Sequence, residues 1–109
     1  MTRYDVSLTA EAEEDIASIH DYIEQAESVE RADRIAAMLF EAVGSLANMP
    51  HRGNIPKELG YFSAVEDVRE LHCRSYRIFY QVIGSDVVVF AVADGRRDMQ
   101  AFLHRRLAR

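Results

Sequence analysis

The chain contains one cysteine, one lysine and no tryptophan. The lone Cys73 excludes an internal disulfide framework and fits a reducing cytoplasm. No Cys-His-Asn arrangement accompanies it, so it reads as an inert thiol. No apolar run approaches the ~20 residues that a membrane span needs. The start, Met1-Thr2-Arg3-Tyr4-Asp5-Val6, lacks the apolar stretch of a signal peptide, and none is expected. Gly-x-Gly-x-x-Gly and the Walker A sequence are missing, so nucleotide phosphates lack their usual cradle. Gly-x-Ser-x-Gly is also missing, and Ser45 follows Gly44 inside a predicted helix, where a nucleophile elbow does not form. His20, His51, His72 and His104 are scattered, without His-x-x-x-His or Cys-x-x-Cys spacing. Glu70 and His72 share a strand face, but two ligands do not make a site. Neither a metal nor a cofactor is expected.

What remains is an ordinary globular composition, 49% hydrophobic and 28% charged, over 109 residues. That length is one domain, residues 1–109, with a real core. The net charge of −5 is unevenly placed. Residues 1–50 hold eleven acids and three bases, whereas residues 69–109 hold four acids and eight bases. The acidic total argues against general nucleic-acid binding, because phosphate contacts scale with available Lys and Arg. The basic C-terminal half still allows a local cationic surface. With Lys57 the only lysine, that surface is built from arginines, which suit bidentate recognition of carboxylate or phosphate.

Alternation over residues 3–8 predicts a strand with Tyr4, Val6 and Leu8 on one face. Thr9 is a plausible N-cap, and Ala12, Ile16, Ile19, Ile23 and Ala26 form the stripe of an amphipathic helix with an acidic outer face. The carboxylates of Glu13-Glu14-Asp15 lie on that exposed face, where nothing raises one pKa for acid/base work. Ser28 caps a second helix, with Ala32, Ile35, Ala36, Leu39, Val43 and Leu46 inward, running to about Asn48. The short link makes the two an antiparallel hairpin. Pro50 and Gly53 end it, and a loop follows to about Phe62. Strands are predicted over Val65–Cys73, Tyr76–Ile83 and Asp86–Ala93. Gly84-Ser85 is a Gly-x hairpin turn between the last two. The last strand is apolar on both faces and should be central. A basic helix, 96–109, presents Met99, Phe102, Leu103 and Leu107 inward. The order β-α-α-β-β-β-α is an α+β fold: a helical hairpin on one face of a small, mostly antiparallel sheet. The other face should be partly wet or partner-bound.

Arg69, Arg74, Arg77, Arg96 and Arg97 are the residues that a small core does not require. Arg69 and Arg77 lie on adjacent predicted strands, and Arg96-Arg97 follow the last strand's exit. One reading is internal salt bridging, Arg77 to Asp94 or Glu70 and Arg97 to Asp98 or an acid of the first helix. The other is a patch for an anionic partner, a scissile phosphate or an acidic protein surface.

The element order, the Tyr76-Arg77-Ile78-Phe79-Tyr80 strand and the Gly95-Arg96-Arg97-Asp98 turn into the final helix resemble the RelE/ParE toxins of bacterial type II toxin–antitoxin systems. These are often labelled plasmid stabilisation proteins. The resemblance spans essentially the whole chain, including the Met49-Pro50 helix end, the Arg52-Gly53 loop and the Arg69-Glu70-Leu71 strand. It implies one of two activities. RelE-like members cut mRNA on the ribosome, and Arg77 and Arg97 match their catalytic arginines. In that branch a tyrosine is expected at Leu103 and a sheet lysine near Leu71. ParE-like members inhibit DNA gyrase without covalent chemistry, and the long hairpin over residues 10–48 fits them better. A non-toxic relative that only binds a partner or regulates its operon is the third reading. The resemblance also implies a cognate antitoxin laid along the helices and sheet, as a heterotetramer with it or beside a toxin homodimer. Arg69, Arg74, Tyr80, Arg96, Asp98 and Phe102 are the expected contacts with target or antitoxin. Asp94, where many relatives carry histidine, should pair with Arg96.

Overall fold

A computed structural model describes residues 3–59 and 67–107. The predicted strand start at Val65, the loop end at Phe62 and the final helix end at Arg109 lie outside the described residues. Strand β1 (Asp5–Leu8) leads into helices α1 (Ala10–Ala26) and α2 (Val29–Ser45). Strands β2 (Val68–Cys73), β3 (Tyr76–Ile83) and β4 (Asp86–Asp94) follow, then helix α3 (Met99–Leu107). A short 3-10 turn, Lys57–Leu59, interrupts the segment expected as loop. Both helix caps form as the sequence indicates. Thr9 Oγ1 accepts the Ala12 amide at 3.1 Å, and Ser28 Oγ accepts that of Arg31 at 3.1 Å, so each satisfies an amide that the helix leaves open. The second helix stops three residues before the expected Asn48. Among the described residues no helix is long and apolar enough to cross a membrane.

The sheet order is β1-β4-β3-β2. Strand β4 is interior, as its two apolar faces require. It pairs antiparallel with β3 and parallel with β1, so the sheet is mixed. Gly84, at φ +60, opens the β3–β4 turn in a conformation that costs glycine little.

Each sheet face carries its own core. On one face Ile78, Tyr80, Val87, Val89 and Val92 pack with Ala12, Ile16, Ile23, Ile35, Leu39 and Val43 of the helical hairpin. On the other, Val68, Phe79, Phe90, Ala91 and Ala93 pack with Leu59 and with Met99, Phe102 and Leu103 of α3. Ala26, expected in the stripe, is exposed. Phe79 pairs with Ala91 and Tyr80 with Val89, which leaves Phe90 as an extra residue in β4. This β-bulge puts Phe90 and Ala91 on the same side and then restores alternation at Val92. The face expected to be wet is therefore largely closed by α3 and the 3-10 turn. Among the described residues, a cleft stays open near the β2–β3 turn.

Strand β1 is short, so among the described residues β4 beyond Val89 has no strand neighbour on that side. Side chains cover this edge instead. Asp15 of α1 accepts the Val92 amide at 3.0 Å, and Arg106 of α3 donates to the Phe90 carbonyl at 2.8 Å. Asp15 and Arg106 also pair with each other, at 2.8 and 3.1 Å. An edge capped in this way offers fewer free groups to a stray strand.

Candidate functional site

The open part of the second face forms a cleft of about 550 Å³, lined by Asn54, Ile55, Lys57, Glu70, His72, Arg74, Ser75, Arg77, Gly95 and Arg96. Strand parity decides which side chains reach it. His72 pairs directly with Arg77 and Glu70 with Phe79, so Glu70, His72 and Arg77 share a face. The segment before β2 closes one side, tied to the strand edge by a two-way backbone bridge between Asn54 and Glu70. The 3-10 turn then lowers Glu58 onto Arg77.

Arg77 is 9% exposed and Glu70 4%. Both guanidinium termini of Arg77 donate to Glu58, each at 2.8 Å, and Nη2 also bonds Glu70. Glu70 Oε1 lies 2.5 Å from His72 Nε2. The Arg77 guanidinium lies 5.1 Å from the Phe79 ring centroid, against its face. Hydrogen bonding to Glu58 raises the Arg77 pKa further, and the reciprocal bond holds the Glu58 carboxyl below its usual range. Arg77 Nε is buried without a hydrogen-bond partner among the described residues. The guanidinium is thus a neutralised strut joining β3, β2 and the 3-10 turn.

A depressed carboxylate pKa stabilises the fold above its unfolded value, and that contribution is lost as pH falls through the folded value. Stability should therefore drop below about pH 4, the ordinary glutamate range. In Glu58→Gln this acid limb should be shallower, measured by urea midpoints between pH 3 and 7. An unchanged limb would show that other carboxylates carry it.

Of the expected site arginines, the cleft unites Arg74, Arg77 and Arg96. Arg69 is not among them. It pairs in register with Tyr80 and so faces the opposite side from Arg77. It bonds Asp67 at 2.8 Å and the carbonyls of His51 and Gly53 at 3.2 and 3.0 Å. Tyr80, expected at a contact surface, is fully buried, and its hydroxyl accepts the Gly53 amide at 3.0 Å. Arg96 pairs with Asp94 at 2.9 Å, and Asp94 accepts the Arg96 amide as well. The Arg96 side chain holds the Asp94 carboxyl below its usual range. Arg97 makes no ion pair among the described residues and lies 4.3 Å from the Phe102 ring centroid. The partner of the first helix's acid is Arg106 rather than Arg97. Asp98 accepts the Ala101 amide at 3.2 Å and so starts α3, while Phe102 is buried beneath Arg97 and Arg106. Leu71 faces the hairpin core, and Glu70 and His72 occupy the open side. Leu103 is fully buried. Burial pushes the Cys73 thiol up, away from reactivity.

Glu58, the partner that neutralises Arg77 beside the cleft, carries no signal in the sequence. It lies nineteen residues from Arg77, in a segment with no periodic pattern. His72 shares a strand face with Glu70, as the alternation predicted, whereas nothing local placed Lys57 at the cleft.

A protein-family profile described as "ParE toxin of type II toxin-antitoxin system, parDE" matches residues 6–99. The chain belongs to this ParE toxin family. It is accordingly a type II toxin–antitoxin toxin. Among solved structures, the chromosomal ParDE system of P. aeruginosa contains a chain of similar fold. Its TM-score is 0.69 at 20% identity, over 86% of this chain and 98% of that one. The toxin–antitoxin complex RelBE2 of Mycobacterium tuberculosis gives a TM-score of 0.60 at 22% identity, over 84% and 98%. A mutant of the E. coli toxin RelE in the free state gives 0.60 at 15% identity, over 92% of each chain. At these identities the likeness is one of fold. No curated protein sequence matches the chain.

Proposed function

We propose that this ParE-family toxin acts in the cytoplasm by binding and poisoning DNA gyrase, without covalent chemistry of its own, until a cognate antitoxin neutralises it. The observation that carries this reading is the state of Arg77. An RNA-cutting site needs cationic and proton-transferring groups free to meet a phosphate. Here the arginine at the matching position is buried between Glu58 and Glu70. Position 103, where a catalytic tyrosine would be expected, is a core leucine. A net charge of −5 also opposes docking on ribosomal RNA. The exposed cations at the cleft rim, Lys57, Arg74 and Arg96, suit an acidic protein surface instead. The antitoxin would use the outer face of the hairpin and the open part of the sheet.

Purified toxin should block supercoiling of relaxed plasmid by gyrase, and pre-mixed antitoxin should restore it. Intact supercoiling at tenfold molar excess would sink the proposal. Codon-biased cuts in a translated mRNA, abolished by Arg77→Lys, would favour the ribosome-dependent nuclease.

Arg74 supplies a finer test. It begins the β2–β3 turn at φ 55, a left-handed conformation that disfavours an arginine. Arg74→Gly should raise stability by about 1 kcal/mol and weaken gyrase inhibition several-fold. Undiminished inhibition in the stabilised variant would remove Arg74 from the contact surface.

A further inference from the structure

Arg77 is paired with one carboxylate more than its charge requires. Glu70 on β2, itself buried, already balances the guanidinium. Glu58 is a second carboxylate, brought from the 3-10 turn, and its side chain is 12% exposed. The two are held differently. Glu70 is fixed on a strand, is tied to Asn54 by the backbone bridge and bonds His72 as well. Glu58 meets the terminal fork of Arg77, at 2.8 Å to each nitrogen. The backbone of the turn does not depend on that pair. Pro56 is fully buried, and Leu59 packs in the core beneath α3, so apolar burial anchors the chain on both sides of Glu58. The Glu58 side chain can therefore swing out while the turn stays in place.

The donors of Arg77 are also not all used. On its side-on edge Nη2 bonds Glu70, whereas Nε has no hydrogen-bond partner among the described residues. Glu70 Oε1, the oxygen that would complete that edge, is turned to His72 at 2.5 Å. A nine-tenths buried arginine thus keeps an unsatisfied donor beside the cleft it lines. Such a donor is costly, and its presence calls for a cause. The cleft wall is kept low over this arginine. A Cβ at Gly95 would lie 3.0 Å from the Ser75 carbonyl oxygen and 3.7 Å from Arg77 Cδ, so a side chain there would press on both. Lys57, Arg74 and Arg96 stand round the opening, and an incoming anion meets them first.

We propose that the fork of Arg77 is a carboxylate-binding site for an acidic protein partner, held shut by Glu58 until an aspartate or glutamate of that partner takes its place. This rests on the reading that the cleft meets an acidic protein surface. The exchange conserves the charge-assisted hydrogen bonds of Arg77, since two are lost to Glu58 and two form with the incoming side chain. Glu58 passes into water. The net attraction then comes from the rim cations, and Arg77 fixes where the carboxylate sits. A site that is closed most of the time binds more weakly in proportion to the fraction open. Glu58 is therefore a brake on affinity, built into the turn beside the cleft.

The test is titration of the full chain with a synthetic tetraglutamate peptide, followed by calorimetry and by the NMR resonance of the Arg77 Nε–H group. Glu58→Ala should tighten binding about tenfold or more, with the Arg77 resonance shifting to saturation. Arg77→Lys on the Glu58→Ala background should abolish that gain, because a point charge does not replace the fork. Glu58→Ala keeps Glu70 as the counter-charge, and urea denaturation confirms the fold of each variant before titration. Should Glu58→Ala fail to fold, Glu58→Gln carries the same test with the shape of the side chain retained. The proposal is overturned if the Glu58 variant binds the peptide no more tightly than the wild type. It is equally overturned if the gain survives Arg77→Lys, or if the Arg77 resonance stays still at saturation. Gyrase takes no part in this titration. A tightened peptide complex beside a gyrase that the wild-type toxin leaves uninhibited would keep this site and discard gyrase as the partner.

Discussion

Arg77→Ala should destabilise the protein by about 3–5 kcal/mol, the usual cost of removing one partner from a buried ion pair. The reason is what it leaves behind. Glu58 and Glu70 would face each other across the vacated space, and Glu70 is 4% exposed. With only His72 left beside Glu70, two carboxylates in that position either protonate or force the 3-10 turn away from the sheet. A domain of this size holds roughly 5–15 kcal/mol in all, and each kcal/mol moves its melting point by roughly 4–8 °C. Urea denaturation at pH 7 measures the loss, and a value under about 1 kcal/mol would show that water already reaches the pair. The triple change Arg77→Met, Glu58→Gln, Glu70→Gln should recover most of the stability, because it removes the charges together. This bears on function directly. A toxin silenced by Arg77→Ala would be reporting a damaged fold, so the variant cannot by itself identify a catalytic arginine.

The second large effect is expected at Asp15. Its carboxylate serves Arg106 and the Val92 amide at once. Asp15→Ala would orphan the Val92 amide on the edge of β4 and remove the nearest carboxylate from Arg106, which is 15% exposed and would keep only the more distant Glu11 at 3.7 Å. The loss should be about 3 kcal/mol, near the low end of the sum of a charged hydrogen bond and an unsatisfied donor. Arg106 also bonds the Phe90 carbonyl and packs on Phe102, so α3 should loosen together with the edge. Hydrogen exchange distinguishes this from general destabilisation. The Val92 amide and the α3 amides should lose protection well before those of β3. Uniform loss over all strands would show that Asp15 does not act locally.

Most of the architecture was legible because its signals are periodic. Thr9 and Ser28 are caps in the structure, and the stripes from Ala12 to Ile23 and from Ala32 to Val43 face the core, with Ile19 and Ala36 half-buried at their margins. The alternation in Tyr76–Ile83 put Arg77 and Phe79 opposite Ile78 and Tyr80, as found. The site was less legible. Strand parity moved Arg69 to the other face and put Glu70 and His72 beside Arg77. Phe102 is core, as the inward stripe of the last helix indicated. Tyr80 carries a hydroxyl that reads as contact surface, yet it is core too, because the Gly53 loop packs over it. Glu58 gave no signal because an isolated acid in an aperiodic segment is indistinguishable from a solvated one until the chain folds back.

The sequence by itself determined the helical hairpin, the strand order along the chain and the two-faced strand β4, since each rests on short-range spacing. It also indicated the Asp94–Arg96 pair, whose partners are two residues apart. Only the tertiary structure decided which charges are free. Arg77 is closed off by Glu58, Arg106 is spent on Asp15, and His20 is joined by Asp33, over separations of 19, 91 and 13 residues. Guanidinium and carboxylate groups reach any partner that the fold brings within about 3 Å. Their function is therefore set by the closing of loops and the parity of strands rather than by their neighbours in the chain.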